Sequence, residues 1–377
     1  MKLAFCLYKF FPYGGLERNF LRISQLCAER GHSIDVYTMD WKGPKPENYN
    51  ITIVPVNQWS NHKKTKAFSK KLNIILAQQN YDVVIGFNRM PGLDLYYSAD
   101  PCYVDKINHL KPAIYKLSPR YKHFSAFEKA VFDPSSKTQL MMLSEIEQKK
   151  YIAHYHTPKD RFHLLPPGIS ADRKRPVDAD KLRKKWRTEF NIQDDEKVVL
   201  MIGSAFKRKG LERTILGVAS LSQDLQSKTH IMMIGEDNPK PFQALAEKLG
   251  IAKQLHIFLG RDDVPDFLLG ADLLSHPAIS ENTGNVILEA IVAGLPVLIS
   301  GACGYAFHVK RSKSGLIAEE PFSQDDFNQK LETMLTSAEH STWVENCIKY
   351  SLTEDLYSRP EAAADIIDSF AKTHDSE

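Results

Sequence analysis

Short runs of apolar residues alternate along the chain with stretches in which apolar residues recur every three or four positions. Residues 2–7 form the first such run and predict a buried strand. Helical spacing follows in Leu16, Phe20, Ile23, Leu26 and Cys27. This spacing predicts a helix that ends at Gly31. Because a strand, a helix and a further strand in this order need a crossover connection, the alternation predicts parallel sheets.

The alternation occurs in two series, one in each half of the chain. The first series predicts further strands at residues 33–38, 51–54, 82–86 and 139–143, with a helix at about 144–154 after the last of them. The second series predicts strands at residues 198–202, 230–234, 255–259, 273–276 and 296–299, with helices between them.

Between the two series, residues 170–197 are polar and highly charged, which predicts a domain junction. We therefore predict an α/β protein with two doubly wound, Rossmann-like domains facing each other across a cleft. The predicted domains are residues 1–167 and 168–355. A last helix over about 356–371 is expected to pack back on the first domain.

Length, charge and cysteine content narrow the class of protein. At 377 residues, 43% of them hydrophobic, the chain is long enough for two globular domains. A net charge of only +3 gives no reason to expect a nucleic-acid partner. The five cysteines include no C-x-x-C pair, as in cytoplasmic proteins with reduced thiols. No run approaches the ~20 apolar residues that span a bilayer, so we expect a cytoplasmic protein that is not exported.

Three loops that follow predicted strands carry candidate ligand-binding residues. In the first, Gly14 and Gly15 precede a helix, where small residues let a ligand approach the backbone and the helix start offers free amides. A turn that simply needs positive φ is an equal alternative. Arg18 stands where a dinucleotide-binding G-x-G-x-x-G loop has its third glycine, which argues against NAD.

The second loop, residues 203–210, presents Arg208 and Lys209 between two glycines. Two cations at a strand end suit an anionic ligand, although a short basic turn is often merely solvated. The third loop holds Glu281 and Glu289 on either side of Gly284. Carboxylates accept hydrogen bonds from the hydroxyls of a sugar or ribose. Complementing a helix dipole is the alternative, but it explains Glu289 poorly, because a carboxylate in an apolar run needs a partner.

Residues 103–132 combine basic and aromatic side chains. Six Lys or Arg residues stand against two acids, which gives this segment a local charge of +4. Four of these cations, Lys111, Lys116, Arg120 and Lys122, are candidate contacts with an anionic membrane surface, since aromatic side chains lie between them. From composition alone, a basic helix whose aromatic side chains pack inward is the favoured interpretation.

Four features together resemble the retaining GT-B glycosyltransferases of family four. They are the Glu281–x7–Glu289 pair, the G-S-x-F-x-R-K-G loop at 203–210, the Pro-Pro-Gly-Ile hinge at 166–169 and the early Gly-Gly. The segments at 4–9, 86–94 and 99–103 further resemble the lipopolysaccharide core glucosyltransferases within that family. The resemblance extends over nearly the whole chain.

The resemblance implies a role for each matching residue. The first domain would bind the acceptor and the second a uridine diphosphate (UDP) sugar. Glu289 would hold the ribose and Glu281 the sugar hydroxyls, while Arg208, Lys209 and Arg173 would neutralise the leaving diphosphate. The backbone amides of Gly284, Asn285 and Val286 would face the phosphates. Gly14 and Gly15 would approach the donor from the first domain. Asp100 would lie on the acceptor side. Of these, Asp100, Arg208, Lys209 and Glu281 are the expected catalytic residues.

Members of this family need no metal, and the D-x-D at Asp178 and Asp180 is predicted to be a solvated loop in the charged junction, so no cofactor is expected. The sequence departs from the family pattern in two places. Asn19 occupies a position that is Asp in some relatives and is assigned no catalytic role. Asn282 and Thr283 follow Glu281 in place of small apolar residues, and their side chains could contact substituents of the donor sugar.

The expected function is transfer of a hexosyl unit, with glucose favoured, from a UDP-sugar to a heptose of the lipopolysaccharide inner core. The expected partners are heptosylated lipid A and the anionic cytoplasmic face of the inner membrane, where the protein would be peripheral. Three alternatives remain: a UDP-N-acetylhexosamine donor, a different surface glycan as product, and a non-catalytic sugar-nucleotide-binding module.

Overall fold

A computed structural model describes residues 1–12 and 14–374, and the chain divides into two compact units. Unit 1 comprises Met1–Gly168 together with the chain from Ser358 onward, and unit 2 comprises Ile169–Tyr357. Each unit has its own parallel sheet with helices on both faces. This agrees with the predicted pair of doubly wound domains.

Unit 1 contains a seven-stranded parallel sheet in the order β3-β2-β1-β4-β5-β6-β7. Its strands are β1 (Lys2–Cys6), β2 (Ser33–Thr38), β3 (Tyr49–Ile53), β4 (Val83–Gly86), β5 (Leu95–Ser98), β6 (Gln139–Met142) and β7 (Phe162–Leu164). Its helices up to this point are α1 (Gly15–Glu29), α2 (Asn61–Leu76), α3 (Tyr103–Leu110), α4 (Pro119–Phe132) and α5 (Glu145–Tyr155), with a 3₁₀ turn at Ala113–Leu117.

Unit 2 contains a six-stranded parallel sheet in the order β10-β9-β8-β11-β12-β13. Its strands are β8 (Lys197–Ile202), β9 (Thr229–Ile234), β10 (Leu255–Phe258), β11 (Leu273–His276), β12 (Val297–Ser300) and β13 (Gly315–Ala318). Its helices are α6 (Ala179–Glu189), α7 (Phe206–Lys209), α8 (Leu211–Ala219), α9 (Gln223–Ser227), α10 (Lys240–Lys248), α11 (Val264–Gly270), α12 (Asn285–Ala293), α13 (Ala306–Ser312), α14 (Gln324–Thr336) and α15 (His340–Thr353).

The last helix, α16 (Arg359–His374), belongs to unit 1 although it follows unit 2 in the chain. Ala363, Ala364 and Ile367 are fully buried in the core that α1 also lines. Arg30, just after α1, donates to the carboxylate of Asp368 at 2.7 Å. Burial of this small apolar face and the ion pair at its edge hold α16 on unit 1.

Within residues 170–197, the prediction of a junction is wrong for Ala179–Glu189, because these residues form α6 and pack into unit 2. Trp186 is only 4% exposed, and its ring lies edge-to-face against Phe267 of α11. Arg183 and Arg187 both bind the carboxylate of Asp272. Ala179, Trp186 and Arg187 are the buried residues of α6, so a helix of very polar composition is a core element.

The Asp178–Asp180 pair therefore lies at a helix start and not in a solvated loop. Asp178 is the N-cap position of α6, and Asp180 in its first turn accepts a hydrogen bond of 2.7 Å from Arg175. Carboxylates at a helix N-terminus complement its dipole.

Three short strands escaped prediction from the sequence. β5 and β13 have four residues each and β7 has three. Runs this short show too few alternations to be distinguished from loops. Pairing with an existing neighbour in the sheet, such as Leu95 with Gln139 between β5 and β6, makes them strands.

Candidate active site

In parallel α/β sheets, ligands bind beyond the carboxyl ends of the strands, where the strand order reverses. In unit 2 that reversal lies between β8 and β11, and in unit 1 it lies between β1 and β4. The two most charged loops predicted from sequence, residues 203–210 and 277–289, follow β8 and β11 directly. They therefore meet at the switch point of unit 2.

The loop after β8 is bent by glycines so that its cations face the loop after β11. Gly203 and Gly210 adopt φ values of 126° and 83°, which glycine tolerates best. A Cβ atom on Gly210 would stand 2.1 Å from the carbonyl oxygen of Pro277, so the two loops could not pack this closely with any other residue there. The amide of Ile279 donates to the carbonyl of Arg208 at 2.8 Å and joins the loops.

Glu281 is the centre of a cluster of charged side chains in unit 2. Its carboxylate accepts hydrogen bonds from Arg208 Nη1 at 3.1 Å and from Lys209 Nζ. The His276 Nε2 atom lies 3.5 Å from the same carboxylate. Burial alone would raise the pKa of Glu281, but His276 and Lys209 outweigh it and hold that pKa well below its usual value. Glu281 is therefore an anion that pairs with the two predicted diphosphate-binding cations.

His276 is a member of this cluster that sequence analysis did not assign. It ends β11 and is fully buried, and burial lowers the pKa of its imidazole. Its position at the last residue of a strand, immediately before the glutamate loop, is the signal by which it could have been found.

The segment from Glu281 to Thr283 is fixed by the loop after β12. The amides of Gly304 and Tyr305 donate to the carbonyls of Glu281 and Thr283, at 3.1 and 2.9 Å. A Cβ atom on Gly304 would lie 1.7 Å from the carbonyl oxygen of Asn282, so only glycine permits this contact. Asn282 and Thr283 are thus held beside Glu281 by backbone contacts that do not involve their side chains.

The start of α12 supplies the predicted anion-binding amides. Gly284 caps the helix at φ 91°, and Asn285 and Val286 form its first turn. The first amides of a helix have no acceptor within the helix and lie at the positive end of its dipole. This end of α12 directly follows the Glu281 segment, so it is suited to a phosphate group.

Glu289 and Arg173 lie together in unit 2. Glu289 is in the second turn of α12, and Arg173, at the end of a 3₁₀ turn, places its Nε 3.9 Å from that carboxylate. Two N–H groups of Arg173, at Nε and Nη1, are buried and make no hydrogen bond within the part of the chain that the structure describes. The structure therefore places a mostly buried guanidinium beside the carboxylate predicted to hold ribose.

Asp100 lies in unit 1, on a cavity of about 210 Å³ at that sheet's switch point. We call this cavity the Asp100 pocket; it is lined by Tyr8, Arg89, Asp100, Tyr103, Arg120, Phe124 and Phe127. Tyr8 follows β1 and Arg89 follows β4, and the Tyr8 hydroxyl donates to the Arg89 carbonyl at 2.8 Å. Arg89 Nη2 lies 3.9 Å from the Asp100 carboxylate.

Glu128 of α4 is a buried acid that contacts two residues of the Asp100 pocket, Arg89 and Tyr103. It is fully buried and binds the guanidinium of Arg89. It also accepts hydrogen bonds from the amides of Tyr103 and Val104, at 2.6 and 3.0 Å, and from the Tyr155 hydroxyl at 2.8 Å. In sequence Glu128 is one of two acids in a basic segment, whereas in the structure it joins α4, the start of α3 and the loop after β4.

Gly14 is the N-cap of α1 and Gly15 its first residue, but neither has the positive φ that would require glycine. Gly14 has φ −75°, and Gly15 is not among the residues with positive φ. A Cβ atom on Gly14 would meet the Glu17 carboxylate, while one on Gly15 would meet no described atom within 4 Å. The turn alternative is therefore wrong, and the assignment of both glycines to the donor stays a prediction. Asn19 donates to the carbonyl of Gly15 at 2.9 Å and has a structural role.

The segment 103–132 exposes apolar side chains among its cations. Leu110, Ile114 and Leu117 are 60%, 74% and 69% exposed. Lys111 and Lys116, which alternate with them, are exposed as well. The aromatic side chains of α4 lie partly inward, since Phe124 and Phe127 line the Asp100 pocket. Among the described residues, no helix is long and apolar enough to cross a membrane.

Within residues 1–12 and 14–374, no group of three or more His, Cys, Asp and Glu side chains is placed to hold a metal ion. The five cysteines are all free and buried.

Comparison with known proteins decides the family. Residues 13–173 match the model of glycosyltransferase family 4, and residues 183–350 match that of glycosyl transferases group 1. Over 368 residues the chain is 44% identical to lipopolysaccharide glucosyltransferase WaaG of Escherichia coli K12, covering 97% of this chain and 98% of that one. The chain belongs to this family of GT-B glycosyltransferases.

Solved structures agree. The crystal structure of WaaG, described as a glycosyltransferase involved in lipopolysaccharide biosynthesis, superposes with a TM-score of 0.92 at 43% identity and covers 97% of this chain and 99% of that one. A more distant structure, HepE from Anabaena in complex with UDP-glucose, has a TM-score of 0.73 at 16% identity, covering 98% and 100% of the two chains. The latter likeness supports the fold alone.

Proposed function

We propose that this glycosyltransferase moves a hexosyl unit, glucose in the first instance, from a UDP-sugar to a heptose of the lipopolysaccharide inner core. The anomeric configuration is retained, and the enzyme works as a peripheral protein on the cytoplasmic face of the inner membrane. The 44% identity to a lipopolysaccharide glucosyltransferase over 97% of the chain supports this proposal, and so does the charged cluster around Glu281.

The observation that carries the donor assignment is the pairing of Arg208 and Lys209 with Glu281. In the reaction, the bond between the anomeric carbon and the diphosphate oxygen breaks, and negative charge grows on the diphosphate. Two cations already held by a carboxylate can transfer their hydrogen bonds to that diphosphate with little reorganisation. Glu281 is then free to accept hydrogen bonds from sugar hydroxyls.

Around this cluster, we assign the remaining donor contacts by chemistry. Glu289 accepts from the ribose hydroxyls, and the neighbouring Arg173 offers its buried N–H groups to the diphosphate. The amides of Gly284, Asn285 and Val286 receive phosphate oxygens at the start of α12. No metal ion or enzymic nucleophile is assigned, because the cations of the protein supply the electrostatic stabilisation.

The acceptor is assigned to unit 1. Asp100 accepts a hydrogen bond from a hydroxyl of the acceptor heptose. The new glycosidic bond forms from an acceptor hydroxyl oxygen, and the proton of that hydroxyl passes to the departing diphosphate. Heptosylated lipid A is anchored in a bilayer, and Leu110, Ile114 and Leu117, exposed among lysines, suit contact with an anionic surface. Lys111, Lys116 and Lys122 contribute the attraction.

A UDP-N-acetylhexosamine donor is the second candidate, because Asn282 and Thr283 lie beside Glu281 and carry polar groups. The test is incubation of purified enzyme with radiolabelled UDP-glucose or UDP-N-acetylglucosamine, with and without heptosylated lipid A. Label transferred to the lipid from UDP-glucose supports the proposal. Transfer from UDP-N-acetylglucosamine alone would show that the donor is this nucleotide sugar and not UDP-glucose. Binding of a donor without any transfer would indicate a non-catalytic module.

A further inference from the structure

Arg120 has a different position from the other cations of its segment. The sequence groups it with Lys111, Lys116 and Lys122 as a candidate membrane contact, but the structure places Arg120 on the wall of the Asp100 pocket. None of the three lysines is among the residues that line this cavity. One member of an apparently uniform basic segment therefore faces the proposed acceptor site.

The guanidinium of Arg120 is positioned but not neutralised by the protein. It lies 5.3 Å from the centre of the Phe124 ring, which is one turn further along α4 and also lines the pocket. Within the described residues, Arg120 forms no ion pair with a carboxylate. The second arginine of the pocket differs, because Glu128 and Asp100 both face Arg89.

We propose that Arg120 binds an anionic group, a carboxylate or a phosphate, on the acceptor saccharide. This inference rests on the proposed function and specifies its acceptor: a sugar hydroxyl bound by Asp100 and, on the same saccharide, a negatively charged substituent bound by Arg120.

The chemistry of the pocket fits such a ligand. A planar guanidinium with five N–H donors binds carboxylates and phosphates in a two-pronged manner. An ionised Asp100 accepts hydrogen bonds only, so it favours a hydroxyl over an anion as its ligand. Tyr103, Phe124 and Phe127 also line the pocket, and their aromatic faces suit the C–H groups of a sugar ring. A wholly neutral saccharide would leave the Arg120 charge unused.

The experiment uses water-soluble acceptor, so that membrane binding plays no part. Deacylated heptosylated core oligosaccharide is compared with the same material after phosphatase treatment and after chemical reduction of its carboxylates. Wild-type enzyme, Arg120→Gln and Lys129→Gln are assayed for kcat/KM with each acceptor. Lys129 is a matched control because it is an exposed cation on the same helix and does not line the pocket.

We expect the wild type to lose about 10- to 100-fold in kcat/KM when the recognised group is removed, the range for a charge-assisted hydrogen bond. Arg120→Gln should show this loss with the untreated acceptor and no further loss with the treated one. Lys129→Gln should behave as the wild type. The treatment that abolishes the difference between wild type and Arg120→Gln identifies the group as phosphate or carboxylate.

Two results would overturn the inference. In the first, Arg120→Gln has the same kcat/KM as the wild type with untreated soluble acceptor but binds anionic vesicles more weakly. This result would show that Arg120 contacts lipid headgroups and not the acceptor saccharide. The other is an equal loss with all three acceptors, which indicates a structural role. Calorimetric binding of each oligosaccharide is measured in parallel. Failure of all transfer by the wild type would refute the proposed function, while binding would still decide the role of Arg120.

Discussion

The two sheets reverse their strand order in the same way, yet the side chains at the two switch points are used differently. In unit 2, the cations Arg208 and Lys209 share Glu281 at the sheet edge where we propose that the donor binds. In unit 1, Arg89 pairs with Glu128, which is fully buried and also holds the start of α3. In our proposal, charge pairs of the first kind are exchanged for a ligand, whereas a pair of the second kind holds the surrounding elements together. A position at a switch point therefore predicts a ligand-binding site, but it does not predict the role of each charged side chain.

The largest expected effect concerns the buried pair of unit 1. Glu128→Gln removes the nearer of the two carboxylates that face the mostly buried Arg89 side chain, and breaking a buried pair costs about 3–5 kcal/mol. We expect this loss in the free energy of opening of unit 1, measured by hydrogen exchange of peptides from α3 and α4. Glu145→Gln, an exposed acid at the start of α5, is the control and should change little. An unchanged rate of hydrogen exchange in Glu128→Gln would show that the Arg89–Glu128 pair does not stabilise unit 1.

The next effect concerns the exchangeable pair of unit 2. Lys209→Ala removes one cation from the developing charge of the diphosphate, so kcat/KM should fall by about 10²- to 10³-fold. The fold should survive, because this residue packs on no core cluster. Lys207→Ala removes an exposed cation from the same short helix and is the control. Near-normal turnover by Lys209→Ala would exclude contact with the leaving group.

A smaller effect is expected on membrane binding, for the three lysines of segment 103–132 that do not line the Asp100 pocket. Changing Lys111, Lys116 and Lys122 to Gln should weaken binding to anionic vesicles by about 100-fold, at ~1 kcal/mol per charge. Wild-type binding should also fall as salt is raised. The matched control changes three exposed lysines of α6 in unit 2, Lys181, Lys184 and Lys185. Equal loss in both triple variants would mean that net charge, and not this surface, attracts the vesicle.

The smallest effect concerns donor choice at the unit 2 switch point. Replacing Asn282 and Thr283 by Ala should change the ratio of kcat/KM for UDP-glucose and UDP-N-acetylglucosamine by about tenfold, the range for one or two neutral hydrogen bonds. Because backbone contacts to Gly304 and Tyr305 hold this segment, truncating the side chains should leave Glu281 in place. Equal loss with both donors would show that the two residues only shape the loop.

Much of the candidate site was accessible from the sequence because its residues follow strands. Glu281, Glu289, Arg208 and Lys209 lie in loops whose position the alternating pattern predicts, and Gly203 and Gly210 adopt the bends expected there. His276 was missed because a strand-end histidine in an apolar run looks like a core residue. Helix α6 was mistaken for a junction because one buried tryptophan and two paired arginines give almost no apolar periodicity.

The sequence by itself determined the parallel α/β class, the two series of strands and the loops that carry the charged residues, since these depend on local periodicity and chain order. Only the tertiary structure decided the partner of each charge. Glu281 meets Arg208, 73 residues away, because β8 and β11 are neighbours in the sheet. Glu128 became a buried acid and Arg120 a pocket residue, although the sequence places both among similar cations. Burial and pairing depend on which distant segments pack together, and composition does not contain that information.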